Sequence, residues 1–135
     1  MLQKLKNYLE EFDRFAKKNE MQIDEVAEGY AKTSMVVKDF HLNGANVVHG
    51  GAIFTLADFA FAIASNSHGR IALSINSSIS FISSAKEGEK LIAIAKEVDL
   101  SHKLGTYNVE VKNESGKIIA SFLGTVYRKS DEIKL

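Results

Sequence analysis

The chain has 135 residues, 45% of them hydrophobic, with 17 basic against 17 acidic side chains and no cysteine. That length and apolar content fit one domain, residues 1–135, around a single core. The balanced charge offers no net field to attract nucleic acid or an anionic membrane, and the lack of cysteine excludes disulfides, thiolate chemistry and cysteine-based zinc sites and fits a cytoplasmic protein.

At the N-terminus Leu2, Leu5, Leu9, Phe12 and Ala16 share one face of an amphipathic helix predicted over residues 1–20. Glu10, Glu11 and Asp13 set it apart from a transit peptide, and it lacks the apolar run of a secretory signal, so it is expected to belong to the fold. Two short strands follow between Ile23 and Phe40, with a bulge or turn at Gly29. The stretch HLNGANVVHGG is loop-like, rich in Asn and Gly, which tolerate positive φ. GAIFTLADFAFAIASNS is too long for a strand and apolar almost all round, which predicts a buried helix over residues 50–66.

Four strand candidates complete the chain. In RIALSINSSISFIS, strict alternation puts Ile71, Leu73, Ile75, Ile79 and Phe81 on one face. AKEGE turns the chain, KLIAIAKEVDL and LGTYNVEVKN follow, and NESGK forms a hairpin turn into IIASFLGTVYRKS. The order predicts an α+β fold in which one antiparallel sheet curls round the apolar helix. Its open edges invite pairing with a second copy, so oligomerisation is expected. No apolar stretch reaches the length of about 20 residues that a membrane span needs.

Asp58 is the one charge inside the central helix, on a stripe of small or polar residues with Gly51, Thr55, Ala62 and Ser65. Ile53, Phe54, Leu56, Phe59, Phe61 and Ile63 on the other sides must fill core. A carboxylate there is costly unless it is hydrogen-bonded, opens into a cleft or shifts towards its neutral form. Two readings follow, a solvated seam or a working carboxylate. Beside it, Gly50 and Gly51 open the helix, where unpaired amides and the helix dipole can polarise a carbonyl, although glycines also simply permit tight packing. His49 at the helix start suits a neutral imidazole that shapes the turn better than a general base. His41, His68 and His102 share no metal-ligand spacing, so neither a metal nor a cofactor is expected.

The strings NGANVVHGGAIFTLADFAFAIASNS, INSSISFISSAKEGEKLIAIAKEV and GTYNVEVKNESGKIIASFLGTVYR resemble the hotdog-fold acyl-CoA thioesterases, in particular their PaaI-like, phenylacetate-degradation subgroup. The likeness runs from about Ile23 onward. It implies a hotdog fold, a curved antiparallel sheet wrapped around one long central helix with an extra N-terminal helix. It implies acyl-CoA as substrate, Asp58 as catalytic carboxylate, the Gly51 amide as the group that polarises the thioester carbonyl, and Asn43, His49 and Ser74 as further site residues. Gly50 and Thr55 are expected substrate contacts. Lys103 could meet the phosphates of coenzyme A, although a solvated turn lysine reads as well. A homodimer with shared active sites, assembled into a homotetramer, is the implied partner state.

Two positions depart from the family pattern. Asn46 stands where many relatives have glycine, and Asn tolerates the same left-handed backbone. Ser84 stands where many have proline, which leaves open the course of the strand end and any acyl-CoA contact there. The acyl pocket is expected to draw on Phe54, Phe59 or Phe61 and on a neighbouring subunit, for a small aryl or medium-chain group. The rival functions are a hotdog dehydratase or hydratase, pairing a His with a carboxylate, and a non-catalytic acyl-CoA-binding module.

Overall fold

A computed structural model describes the whole chain, Met1–Leu135. Its N-terminal segment is two helices, α1 (Leu2–Phe12) and α2 (Arg14–Lys18), which corrects the single helix expected over residues 1–20. The cause is Asp13, whose carboxylate accepts a hydrogen bond from the Ala16 amide at 3.1 Å and so caps a new helix. Leu5 and Ala16 are buried as the pattern requires, whereas the break leaves Phe12 exposed.

Strands β1 (Gln22–Ala27) and β2 (Tyr30–Val36) follow, and a 3₁₀ turn at Asp39–His41, not foreseen from the sequence, leads into the loop before the central helix. Helix α3 spans Gly50–Asn66, the length read from the sequence. The remaining strands are β3 (Arg70–Phe81), β4 (Lys90–Leu100), β5 (Leu104–Asn113) and β6 (Ile118–Glu132). All pair antiparallel in one sheet of order β1-β2-β4-β5-β6-β3, so β1 and β3 are its free edges.

One face of this sheet wraps α3. Alternate residues Leu91, Ala93 and Ala95 of β4, Tyr107, Val109 and Val111 of β5, and Ala120, Phe122 and Val126 of β6 are buried against it. Small residues at the tightest points let the helix in: a Cβ on Gly124 would lie 2.7 Å from the buried Phe61 ring. Of the helix residues assigned to core, Ile53, Leu56, Phe59, Phe61 and Ile63 are buried, and only Phe54 is half-exposed. Thr33 of β2 adds a polar tie, donating to the Leu56 carbonyl at 3.2 Å.

The alternation read in β3 is broken. Ser74 faces Val126 and Asn76 faces Thr125, so Ile75 is an extra, bulged residue between them. Before the bulge Ala72 and Ser74 lie on the helix side, opposite Arg128 and Val126; after it Ile79 and Phe81 do, opposite Phe122 and Ala120. Ile71 and Leu73 therefore point to the other face from Ile79 and Phe81, because one inserted residue inverts a period of two.

Candidate active site

Helix α3 starts where the chain turns out of a loop stitched by its own side chains. The Asn43 side-chain oxygen accepts from the Ala45 amide at 2.9 Å and the Val47 amide at 3.3 Å, and Asn46 takes φ 62°, the left-handed conformation that Asn in place of glycine was expected to tolerate. Val48 donates to the Ala85 carbonyl at 2.8 Å, which fixes the segment after β3, Ser84 included, against this loop.

His49 is the N-cap of α3, and its Nδ1 accepts a hydrogen bond from the Gly51 amide at 2.8 Å. A ring nitrogen that accepts from an amide carries no proton, so the imidazole is held with Nδ1 bare, in keeping with a turn-shaping role. The glycine is required by space: a Cβ at position 51 would sit 2.9 Å from that nitrogen. Gly50 is packed under the Phe81 ring, 3.2 Å from where its Cβ would be. Thr55, one turn on, donates to the Gly51 carbonyl at 2.7 Å.

Asp58 continues this stripe, half-buried. Burial, and then the neighbouring Asp13 carboxylate, push its pKa above the ordinary 3.8. The stripe stops short of its expected end, since Ser65 is buried and bonds back to the Ala62 carbonyl at 3.2 Å. Strand β3 runs back along α3, and at about 3.3 Å per strand residue against about 1.5 Å per helix residue Ser74 comes level with Asp58, on the helix side of the sheet. Lys103 does not join them. It lies in the β4–β5 turn, where the Arg70 guanidinium donates to the His102 carbonyl at 2.8 Å, at the far end of α3 from Gly51.

Two clefts flank the start of α3. One, of roughly 370 Å³, is lined by Asn43, Gly50, Phe81, Ser83 and Ser84 among others. The other, of roughly 480 Å³, is lined by His49, Gly51 and Thr55, by Asn19 and His41, and by Phe15, Phe40 and Phe54. Phe54 lines this second cleft, whereas Phe61 is sealed in the core and the nearly buried Phe59 borders a different hollow, with Lys6 and Leu9. Phe15 and Phe40 were missed from the sequence. Phe15 was hidden in a helix assumed to be continuous, and Phe40 in a segment read as the end of a strand.

A profile of the thioesterase superfamily matches residues 45–120, more than half of the chain, and takes in His49, Gly51, Asp58 and Ser74. An Archaeoglobus fulgidus protein bearing the name of an esterase is 53% identical over 132 residues, covering 98% of this chain and 86% of its own. The Escherichia coli acyl-coenzyme A thioesterase PaaI is 36% identical over 118 residues, covering 87% of this chain and 84% of its own. The structure of the E. coli PaaI protein superimposes with a TM-score of 0.94 at 33% identity, over 98% of this chain and 96% of that one.

Proposed function

This chain belongs to the thioesterase superfamily, among the PaaI-like hotdog acyl-CoA thioesterases, and from that premise we propose that it hydrolyses the thioester of a small aryl or medium-chain acyl-CoA to the free acid and coenzyme A. The observation that carries the reading is the pair of groups on the exposed stripe of α3: a half-buried carboxylate of raised proton affinity, Asp58, and a helix N-terminal amide, Gly51.

Asp58 acts as general base. It takes a proton from water as the water oxygen bonds to the thioester carbon, and the charge that develops on the carbonyl oxygen is held by the Gly51 amide at the positive end of the helix dipole. Collapse breaks the carbon–sulfur bond, and the departing thiolate recovers the proton from Asp58. The substrate carbonyl must take the Gly51 amide from His49 Nδ1, its partner in the free chain. Ser74, level with Asp58, holds the attacking water. Direct attack by Asp58 would give an anhydride and needs no second group beside it; the general-base route is preferred because Ser74 supplies one. The rival reading, a dehydratase with His49 as proton carrier, predicts dehydration of hydroxyacyl thioesters without release of thiol.

We infer that a second chain completes this site. Gly51 and Asp58 are about two turns apart, roughly 10 Å along the helix axis. Donor and base must each come within about 3 Å of one reacting group. A homodimer that closes the exposed stripe of one α3 on that of its partner resolves this, bringing Asp58 of one chain to Gly51 of the other.

The test is a hydrolysis screen over an acyl-CoA panel with free thiol detected, on the wild type and on Asp58→Ala. Thiol release by the wild type should fall at least about a hundredfold in kcat in the variant, the scale of a lost general base. It should survive a chelator, since no group of three His, Cys, Asp or Glu is placed to hold a metal. A fully active, folded Asp58→Ala protein would remove Asp58 from the mechanism.

A further inference from the structure

Two of the most exposed aromatic side chains, Phe15 at 66% and Phe40 at 56%, lie in the same cleft as the Gly51 amide. Isolated exposed phenylalanines are ordinary. These two are not isolated, because the backbone that carries them is keyed to the amide by a chain of hydrogen bonds. The Asn19 side-chain amide donates to the Phe15 carbonyl at 2.9 Å. The buried His41 ring, tilted at 52° against Phe40 with centroids 4.3 Å apart, donates through Nε2 to the Asn19 carbonyl at 2.9 Å and accepts through Nδ1 from the Lys38 amide at 2.9 Å. The His41 carbonyl takes the His49 amide at 2.7 Å, and His49 Nδ1 takes the Gly51 amide. A helix cap at Asp13 and the buried Ala16 anchor the other side of Phe15.

We propose that Phe15 and Phe40 form the acyl-recognition wall of the active site, so that the N-terminal segment selects bulky apolar acyl groups over small ones. The proposal rests on the thioesterase reading above. The occupant is identified by what the cleft offers: Phe15, Phe40, Phe54 and Leu42 line it together with Gly51, Thr55 and a few other polar residues, and no lysine or arginine borders it. A molecule with one carbonyl at its end and an apolar body satisfies that wall. The phosphates of coenzyme A do not, since no cationic side chain is there to pair with them.

The experiment measures kcat and KM for acetyl-, hexanoyl- and phenylacetyl-CoA with the wild type, Phe15→Ala, Phe40→Ala and the double variant, alongside melting temperature and molecular mass in solution. The expected result is that selectivity in kcat/KM for the two larger substrates over acetyl-CoA falls about tenfold in the double variant, mainly through KM, as lost apolar contact predicts. Should the double variant not fold, the single exposed substitution Phe15→Ala decides by the same ratio, with a smaller fall. Equal losses on all three substrates, or none, overturn the proposal. So does a change of molecular mass with unchanged selectivity, which would assign the rings to a contact between chains. If the wild type releases no thiol from any of the three, the thioesterase reading falls and takes the proposal with it; a wild type that turns them over while the ratio stays fixed refutes the wall alone.

Discussion

At the scale of single residues, Asp58 is the side chain on which stability and chemistry pull apart. Its pKa is raised, by burial first and by Asp13 second, so the folded chain binds this proton more tightly than the unfolded one. The sign is therefore the reverse of a salt-bridged acid. Above its folded pKa the charge is a burden on the fold, and that burden is relieved as pH falls through the raised value towards 3.8, the unfolded reference. Asp58→Asn should raise the urea midpoint at neutral pH, and the advantage over wild type should shrink as the pH approaches the reference value; an advantage that stays constant with pH would show that burial of charge is not its cause. Asp13→Asn, which removes the like charge, should move the acid limb of the kcat/KM profile to lower pH. Asp58 itself was legible in the sequence, because a lone charge in an apolar helix violates the pattern around it. Asp13 was not, since nothing in a run of mixed charges marks the residue at which a helix breaks and turns towards α3.

Elements, in contrast, were legible wherever one period governed them and illegible where a single residue interrupted it. The bounds of α3 follow from a long apolar run closed by His49 and Ser67, whereas the bulge at Ile75 defeats strict alternation. The C-terminal end of α3 shows how an element is held without apolar contact. Ser67 Oγ accepts from the Gly29 amide at 2.7 Å and donates to the Ala64 carbonyl at 2.6 Å, both buried. Beyond it the His68 ring meets the Glu97 carboxylate at 2.6 Å, and the Tyr107 hydroxyl donates to the same oxygen at 2.7 Å. Burial pushes Glu97 up, yet these two hydrogen bonds together with the charges of His68 and Arg128 outweigh it and hold its pKa below the usual range, so this contribution to stability is present at neutral pH and lost as pH falls through the lowered value. Ser67→Ala leaves the Gly29 amide buried without an acceptor, and should cost about 1–3 kcal/mol in denaturant unfolding. Because Ser67 is at the opposite end of α3 from Gly51, kcat of the remaining folded enzyme should hold; a loss of turnover without a loss of stability would contradict the assignment of this end to structure alone.

The whole molecule is a sheet that covers one side of its helix and leaves open its two edges, β1 and β3, and the stripe from Gly51 to Ala62. Leu73, Ile75 and Phe81 stand exposed along β3, which has a partner on one side only. From the sequence one could read that an antiparallel sheet needs an edge, but not which strand would be it, because strand order depends on contacts between distant segments. In the proposed dimer a second copy would pair with the β3 edge and bring its own Gly51 to Asp58. Mixing Asp58→Ala with Gly51→Trp, each inactive alone, tests this after mild dissociation and reassembly. In a mixed dimer one site inherits both lesions and the other neither. Random pairing makes about half of the dimers mixed, each with one good site of two, so roughly a quarter of wild-type activity should return. If chains demonstrably exchange and no activity returns, each site is complete within one chain, and the roughly 10 Å between Gly51 and Asp58 would have to be closed by a rearrangement of α3 itself.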